Sequence, residues 1–193
     1  MIALVPRHPS WNELSLELDD LLTKLRFGVS ADDFEGAFQE LGLLLGFKCQ
    51  RPDKEWKEGP DNLWCLADGR YLLVECKSDV SDLRTEISRH ESGQMNNSIA
   101  WFEKNYPGCH STNVMIVPFR RVERGAGFNR QVLITRKKKL KQLRDNVRGF
   151  FAEFNEVDPQ QLSENAIRQA LQTHSLTAAN IETLYTEASL SQI

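Results

Sequence analysis

A chain of 193 residues, 40% apolar and 26% charged, has the length of one full-sized domain with helical additions and is too short for two large ones. Its longest strongly apolar stretch, Leu41 to Phe47, is broken by Gly42 and Gly46 and falls far short of the ~20 residues of a membrane span. Pro6-Arg7-His8-Pro9 follows only five mainly apolar residues; a secretory signal needs a longer apolar region, so a cytoplasmic protein is the expectation.

In chain order, Ser10-Trp11-Asn12-Glu13 reads as a capping box. Leu14, Leu18, Leu21, Leu22 and Leu25 follow on one face of a helix that stops near Gly28. A second helix starts after Ser30, with Asp32 and Asp33 in its first turn and a core stripe of Phe34, Ala37, Phe38, Leu41, Leu44 and Leu45. The period then changes. Phe47 to Gln50 reads as a short strand, and Arg51 to Pro60 as a polar loop. Asn62 to Leu66 and Arg70 to Lys77 read as two strands joined around Ala67-Asp68-Gly69.

The run Tyr71-Leu72-Leu73-Val74 fits a strand covered on both faces. A helix is expected from Arg84 to Asn105, then strands at Asn113 to Phe119 and Gln131 to Thr135. Another helix is expected from Lys137 to Phe154. Asp158-Pro159 looks like the start of a helix through Thr173, and a last helix begins near Thr177 with Ile181, Leu184 and Tyr185. This divides the chain into an N-terminal helical segment (1–28), a core (29–135), and a basic helix with a C-terminal helical appendage (136–193).

Charge is unevenly spread over this plan. Eleven of the 24 basic residues lie between Arg120 and Arg148: Arg120, Arg121, Arg124, Arg130, Arg136, Lys137, Lys138, Lys139, Lys141, Arg144 and Arg148. Only Glu123 and Asp145 oppose them, so the segment carries +9 and the rest of the chain −12, for a net −3. Such asymmetry suits a polyanion-facing surface, and Arg120, Arg121, Arg124, Arg136, Lys137, Lys138, Lys139 and Lys141 are the candidate nucleic-acid contacts. The alternative is a solvated helix face that binds nothing. The four cysteines lack C-x-x-C spacing and the four histidines are scattered, which argues against zinc or a disulfide framework. A metal here would need oxygen ligands and would be a hard cation.

Glu35 on the second helix, Asp61 after Gly59-Pro60, and Glu75-Cys76-Lys77 at the end of an apolar strand form the constellation that carries chemistry. Glu75 and Lys77 alternate with Cys76, so both point to one sheet face. Two charges there without partners would be costly; a simple ion pair at a sheet edge is the bland alternative. A regular two-residue turn at Asp68-Gly69 would put Asp61 opposite Cys76, facing away from Glu75. A three-residue turn or a bulge would put it opposite Lys77 and bring it into the cluster. Asp53, after Pro52, is the rival aspartate, and Asp61 is preferred because an apolar strand follows it directly.

The order helix, strand, hairpin, helix, strand, with acids at these points, resembles the PD-(D/E)XK nuclease superfamily over roughly Ser30 to Phe119. The resemblance implies an α/β restriction-endonuclease-like core (α-β-β-β-α-β), a mixed central sheet flanked by helices. It implies Asp61 and Glu75 as ligands of Mg2+ (or Mn2+), the Cys76 carbonyl as a further ligand, Lys77 as the catalytic lysine and Glu35 in the metal shell. Gln94 matches a polar position that reaches the site in several branches, and His90 is a weaker candidate. The Gln-x-x-x-Tyr form is absent, since Ser98 occupies the fourth position. Trp56 and Trp101 read first as core or edge packing, with stacking on bases the alternative.

The chemistry suits the residues. Phosphodiester hydrolysis builds negative charge on phosphorus and leaving oxygens, which a dication held by two carboxylates neutralises. A neighbouring lysine can orient or deprotonate the attacking water, or steady the transition state. A Mg2+-dependent DNA nuclease is one reading. A hydrolytically inactive DNA-binding or assembly module on the same fold is the other. The chain has no G-x-x-x-x-G-K-[ST] loop, so ATP-driven unwinding would need a separate ATPase or helicase partner. A double-strand cutter with one site per chain ordinarily works as a homodimer.

Overall fold

The computed structural model describes residues 11–80, 83–155, 157 and 162–191. Helix α1 (Trp11–Lys24) buries Leu18, Leu21 and Leu22, with Leu25 just beyond its end. The expected capping box rests on Ser10, outside the described residues. Helix α2 (Ala31–Leu44) starts where expected, its first turn held by the Ser30 hydroxyl accepting the Asp33 N–H. Its stripe of Phe34, Ala37, Phe38 and Leu41 is buried. A Cβ on Gly42 would lie 2.6 Å from the Trp64 ring, so the missing side chain is what lets α2 lie close on the sheet.

The polar loop contains a short helix, α3 (Pro52–Trp56), between β1 (Lys48–Gln50) and the hairpin of β2 (Asn62–Ala67) and β3 (Arg70–Cys76). Across the sheet the order continues to β5 (His110–Ile116), β7 (Val132–Thr135) and β8 (Glu187–Ala188). The β1–β2, β2–β3 and β7–β8 pairs are antiparallel, and β3–β5 and β5–β7 parallel, so the central sheet is mixed.

Helices cover both faces, and strand alternation sorts the side chains. Trp64, Leu72, Val74, Val114 and Ile116 face one core with α1, α2 and α5 (Lys137–Ala152). Leu63, Leu73, Met115 and Ile134 face the other with Met95, Ile99 and Phe102 of α4 (Arg89–Asn105). Burial of these apolar surfaces from water, at about 25 cal/mol per Å2, drives the layering.

The structure departs from the sequence reading in places. Helix α4 begins at Arg89 because Ser88 and Glu91 form a complete capping box, and Glu86–Ile87 upstream is a strand, β4. It pairs in parallel with β6 (Arg121–Val122), which pairs with β9 (Leu190–Ser191). The C-terminal region is therefore not helical alone: after α6 (Glu164–Thr173) and α7 (Ala178–Thr183) it supplies β8 and β9 to two sheets. The Asp158-Pro159 helix start lies outside the described residues; α6 is capped by Ser163. Among the described residues no helix is long and apolar enough to cross a membrane.

Candidate functional site

The hairpin decides where the acids point. Ala67 pairs with Arg70, enclosing a two-residue turn, but Cys65 pairs with Tyr71, leaving Leu66 as an extra residue on β2. Beyond this bulge the ladder runs Leu63–Leu73 and Asn62–Val74. The next step places Asp61 opposite Glu75. The expected bulge is present, but it shifts the register the other way: Asp61 faces Glu75 rather than Lys77. All three share the α4 side of the sheet, since residues two apart on a strand point the same way.

Continued one residue further, the ladder sets Cys76 against Pro60, which has no N–H to donate. The Pro60 carbonyl is taken by the Asp53 N–H. The Cys76 N–H therefore turns to a side chain and donates to Asp61 Oδ2 at 2.6 Å. Lys77 donates its backbone N–H across to Ile116 on β5, so by alternation the Cys76 carbonyl points to the β2 side, where no Pro60 N–H meets it. Pro60-Asp61 thus fixes one carboxylate and leaves one carbonyl free of the ladder.

Glu75 is only 4% exposed. Its Oε1 accepts the Ser98 hydroxyl at 2.6 Å and its Oε2 lies 3.6 Å from Lys77 Nζ. Burial and the nearby Asp61 push its carboxyl up to about 8, against the pull of Lys77 and the Ser98 bond. Asp61 is raised as well, chiefly by burial, while Lys77 and the Cys76 N–H oppose the shift. Burial alone would lower the Lys77 pKa; Glu75 and Asp61 outweigh it and hold the ammonium above its ordinary value. The Asp61 charge thus disfavours ionisation of Glu75, as closely placed carboxylates do.

A cleft of about 420 Å3 opens here, lined by Asp61, Glu75, Lys77, Gln94 and Ser98 with Asp53, Lys57, Glu58, Gly59, Asn97 and Trp101. Gln94, Asn97, Ser98 and Trp101 recur at helical spacing, so one face of α4 forms a wall. Of the expected residues, Asp61, Glu75, Lys77 and Gln94 come together. Asp53, the rival aspartate, lines the same cleft from α3 and is exposed. His90 is exposed and outside the lining.

Glu35 approaches over the end of the sheet from α2, and its carboxylate is bound by Arg51, which also bonds Asp32. Burial and then Asp61 push Glu35 up to about 6, against the pull of Arg51. It lies within electrostatic reach of Asp61 and is held by Arg51 rather than presented to the cleft. Ser98 and Asn97 were missed by sequence reasoning. The available signal was a Ser embedded in the Met95, Ile99 and Phe102 stripe, one turn after Gln94.

Among the described residues no group of three or more His, Cys, Asp or Glu side chains is set to hold a metal. The buried carboxylate of Glu75, the half-buried one of Asp61 and a ladder-free carbonyl nonetheless suit Mg2+, which ordinarily takes one or two carboxylates and keeps several waters. The donor set fits.

The basic segment divides in two. Arg120 and Arg136 both pair with Glu187, Lys141 with Asp145 at 2.6 Å, and Arg148 with Asp19 at 3.1 Å. Lys139 donates to the Leu184 carbonyl at 2.6 Å. Among the described residues, Arg121, Arg124, Lys137 and Lys138 have no such partner and are exposed. The register aligns Cys76, Ile116 and Thr135 across the parallel strands. Lys77 and Arg136 therefore follow on in one row, two strands and about 10 Å apart with β5 between them, and the free lysines follow directly at the start of α5.

Compared with protein-family models, curated proteins and solved structures, the chain matches none.

Proposed function

We propose that this chain is a divalent-metal-dependent nuclease with a restriction-endonuclease-like core, hydrolysing DNA phosphodiester bonds, alone or as the nuclease part of a larger DNA-processing or defence assembly. The convergence of Asp61, Glu75 and Lys77 on one cleft carries this reading. Asp61, Glu75 and the Cys76 carbonyl would hold Mg2+ or Mn2+. The bound cation supplies charge neutralisation at the phosphate and a more acidic water. The Lys77 ammonium orients the attacking water and steadies the charge that grows on phosphoryl oxygens. Ser98 fixes the Glu75 carboxylate, and Gln94 and Asn97 line the path of the strand. Arg121, Arg124, Lys137 and Lys138, exposed and unpaired among the described residues, supply phosphate contacts.

The test is cleavage of plasmid and single-stranded DNA with Mg2+ or Mn2+. Wild type should cut, and Lys77→Ala should cut about 10²–10⁴-fold more slowly. Equal, background-level cutting by both overturns the proposal. DNA binding that persists in EDTA without cutting under any cation returns the chain to the binding or assembly role.

A further inference from the structure

An aromatic column rises from the core beside the cleft. Phe102 is buried and stacks on Tyr106 with centroids 5.1 Å apart; Tyr106 meets Trp101 at 5.9 Å, and Trp101 carries Trp56 at 6.1 Å with planes 22° apart. The outermost ring is Trp56, 51% exposed at the end of α3. Gly59, with φ +91°, packs on Trp101, where a Cβ would lie 2.8 Å from the indole. The α3–β2 connection is thus moulded to the column. Trp101 lines the cleft one helical turn from Ser98, the hydrogen-bond partner of Glu75.

An exposed tryptophan costs hydrophobic free energy, about 25 cal/mol per Å2 left in water, and this one is stacked and aligned rather than loose. Charge on this wall does not favour a polyanion. Asp53, Glu58, Asp61 and Glu75 outnumber Lys57 and Lys77, and none of the unpaired cations Arg121, Arg124, Lys137 and Lys138 lines the cleft. Affinity on the α3–α4 side must come from something other than phosphate attraction. A nucleobase face offers it, and only an unpaired base has a face to give, because in a duplex the faces are stacked on one another.

We infer that the cleft takes single-stranded DNA, with an unpaired base stacked on Trp56 as the next ring of the column and the adjoining phosphate directed toward Lys77. This rests on the nuclease reading for the identity of the strand, and it adds the form in which the strand is accepted. Trp56 acts as a positioning residue.

The experiment is fluorescence anisotropy of a labelled 20-nucleotide oligo-dT and of a blunt 20-base-pair duplex, with the full chain in EDTA so that no cutting intervenes. Wild type should bind oligo-dT more tightly than duplex. Trp56→Ala should weaken oligo-dT binding about 5- to 150-fold and leave duplex binding within about twofold, while Trp56→Phe restores most of the loss. Circular dichroism melting of each variant separates this from unfolding. Undiminished oligo-dT binding by Trp56→Ala, equal losses on both substrates, or no oligo-dT binding by wild type overturns the inference. Trp56-dependent oligo-dT binding with no cutting by Mn2+-supplemented wild type sinks the nuclease reading and leaves this one standing.

Discussion

The cleft between the hairpin and α4 and the surface around α5 both carry dense charge, and they treat it oppositely. In the cleft, the charges around Glu75 are deeply set and out of balance: Glu75 is buried, Asp61 and Lys77 are half-buried, and the nearby Asp61 raises the Glu75 pKa. Around α5 the charges are many and shallow, and much of the positive charge is answered by acids distant in sequence, Glu187 and Asp19 among them. Exposed pairs of that kind contribute roughly 0–1 kcal/mol each, whereas buried like charges persist only where something else compensates them. Raw charge density is thus a poor guide to function here; unbalanced burial is a better one.

The contrast can be broken most decisively at the cleft. Asp61→Asn should lower cutting at least about 100-fold, an expectation taken from losing electrostatic stabilisation at the reacting phosphate. The melting curve should remain cooperative. Full activity in this variant would remove the cleft's claim.

Next comes proton linkage. Folding raises the Glu75 carboxyl from its ordinary 4.5 to about 8. Between those values the folded chain binds more protons than the unfolded one, so metal-free stability falls as pH rises through that window. Asp61, also raised, adds to the fall. Urea unfolding in EDTA at stepped pH measures it; Glu75→Gln should flatten most of the slope, and a wild-type profile that climbs over this range contradicts the picture.

On the basic side the expected effects are smaller. Lys137→Ala with Lys138→Ala should reduce the salt slope of duplex DNA binding by about 2, since each released phosphate contact on B-form DNA accounts for about 0.9. Lys141→Ala, whose ammonium already answers Asp145, should leave the slope nearly unchanged. The least effect is expected at Glu187→Gln: a stability loss within about 1 kcal/mol, together with tighter DNA binding as Arg120 and Arg136 are freed. Weaker binding by this variant would show that the clamp shapes the DNA surface instead of masking it.

Much of the core was legible because its signals are local. Ser30 announced α2, and the turn residues with a continuous apolar run announced the β2–β3 hairpin. Two-residue strands such as β4, β6, β8 and β9 carry no periodicity, and their pairing depends on partners far along the chain. The same holds for the basic segment, where Arg136 and Glu187 are separated by 51 positions. Asp61, Glu75 and Lys77 were readable from the alternation of a buried strand, but the register that makes Asp61 face Glu75 was not, since it turns on the direction of a bulge. Ser98 carried only helical spacing, too common a signal to single it out.

That bulge has a consequence for how this site can come and go. Leu66 is the unpaired residue that brings Asp61 opposite Glu75; were the same residues to pair without the bulge, the aspartate would fall opposite Cys76 and point to the other layer, with composition and net charge unchanged. Such a pairing would retain every acidic residue and the same helices, yet leave Glu75 without Asp61 beside it.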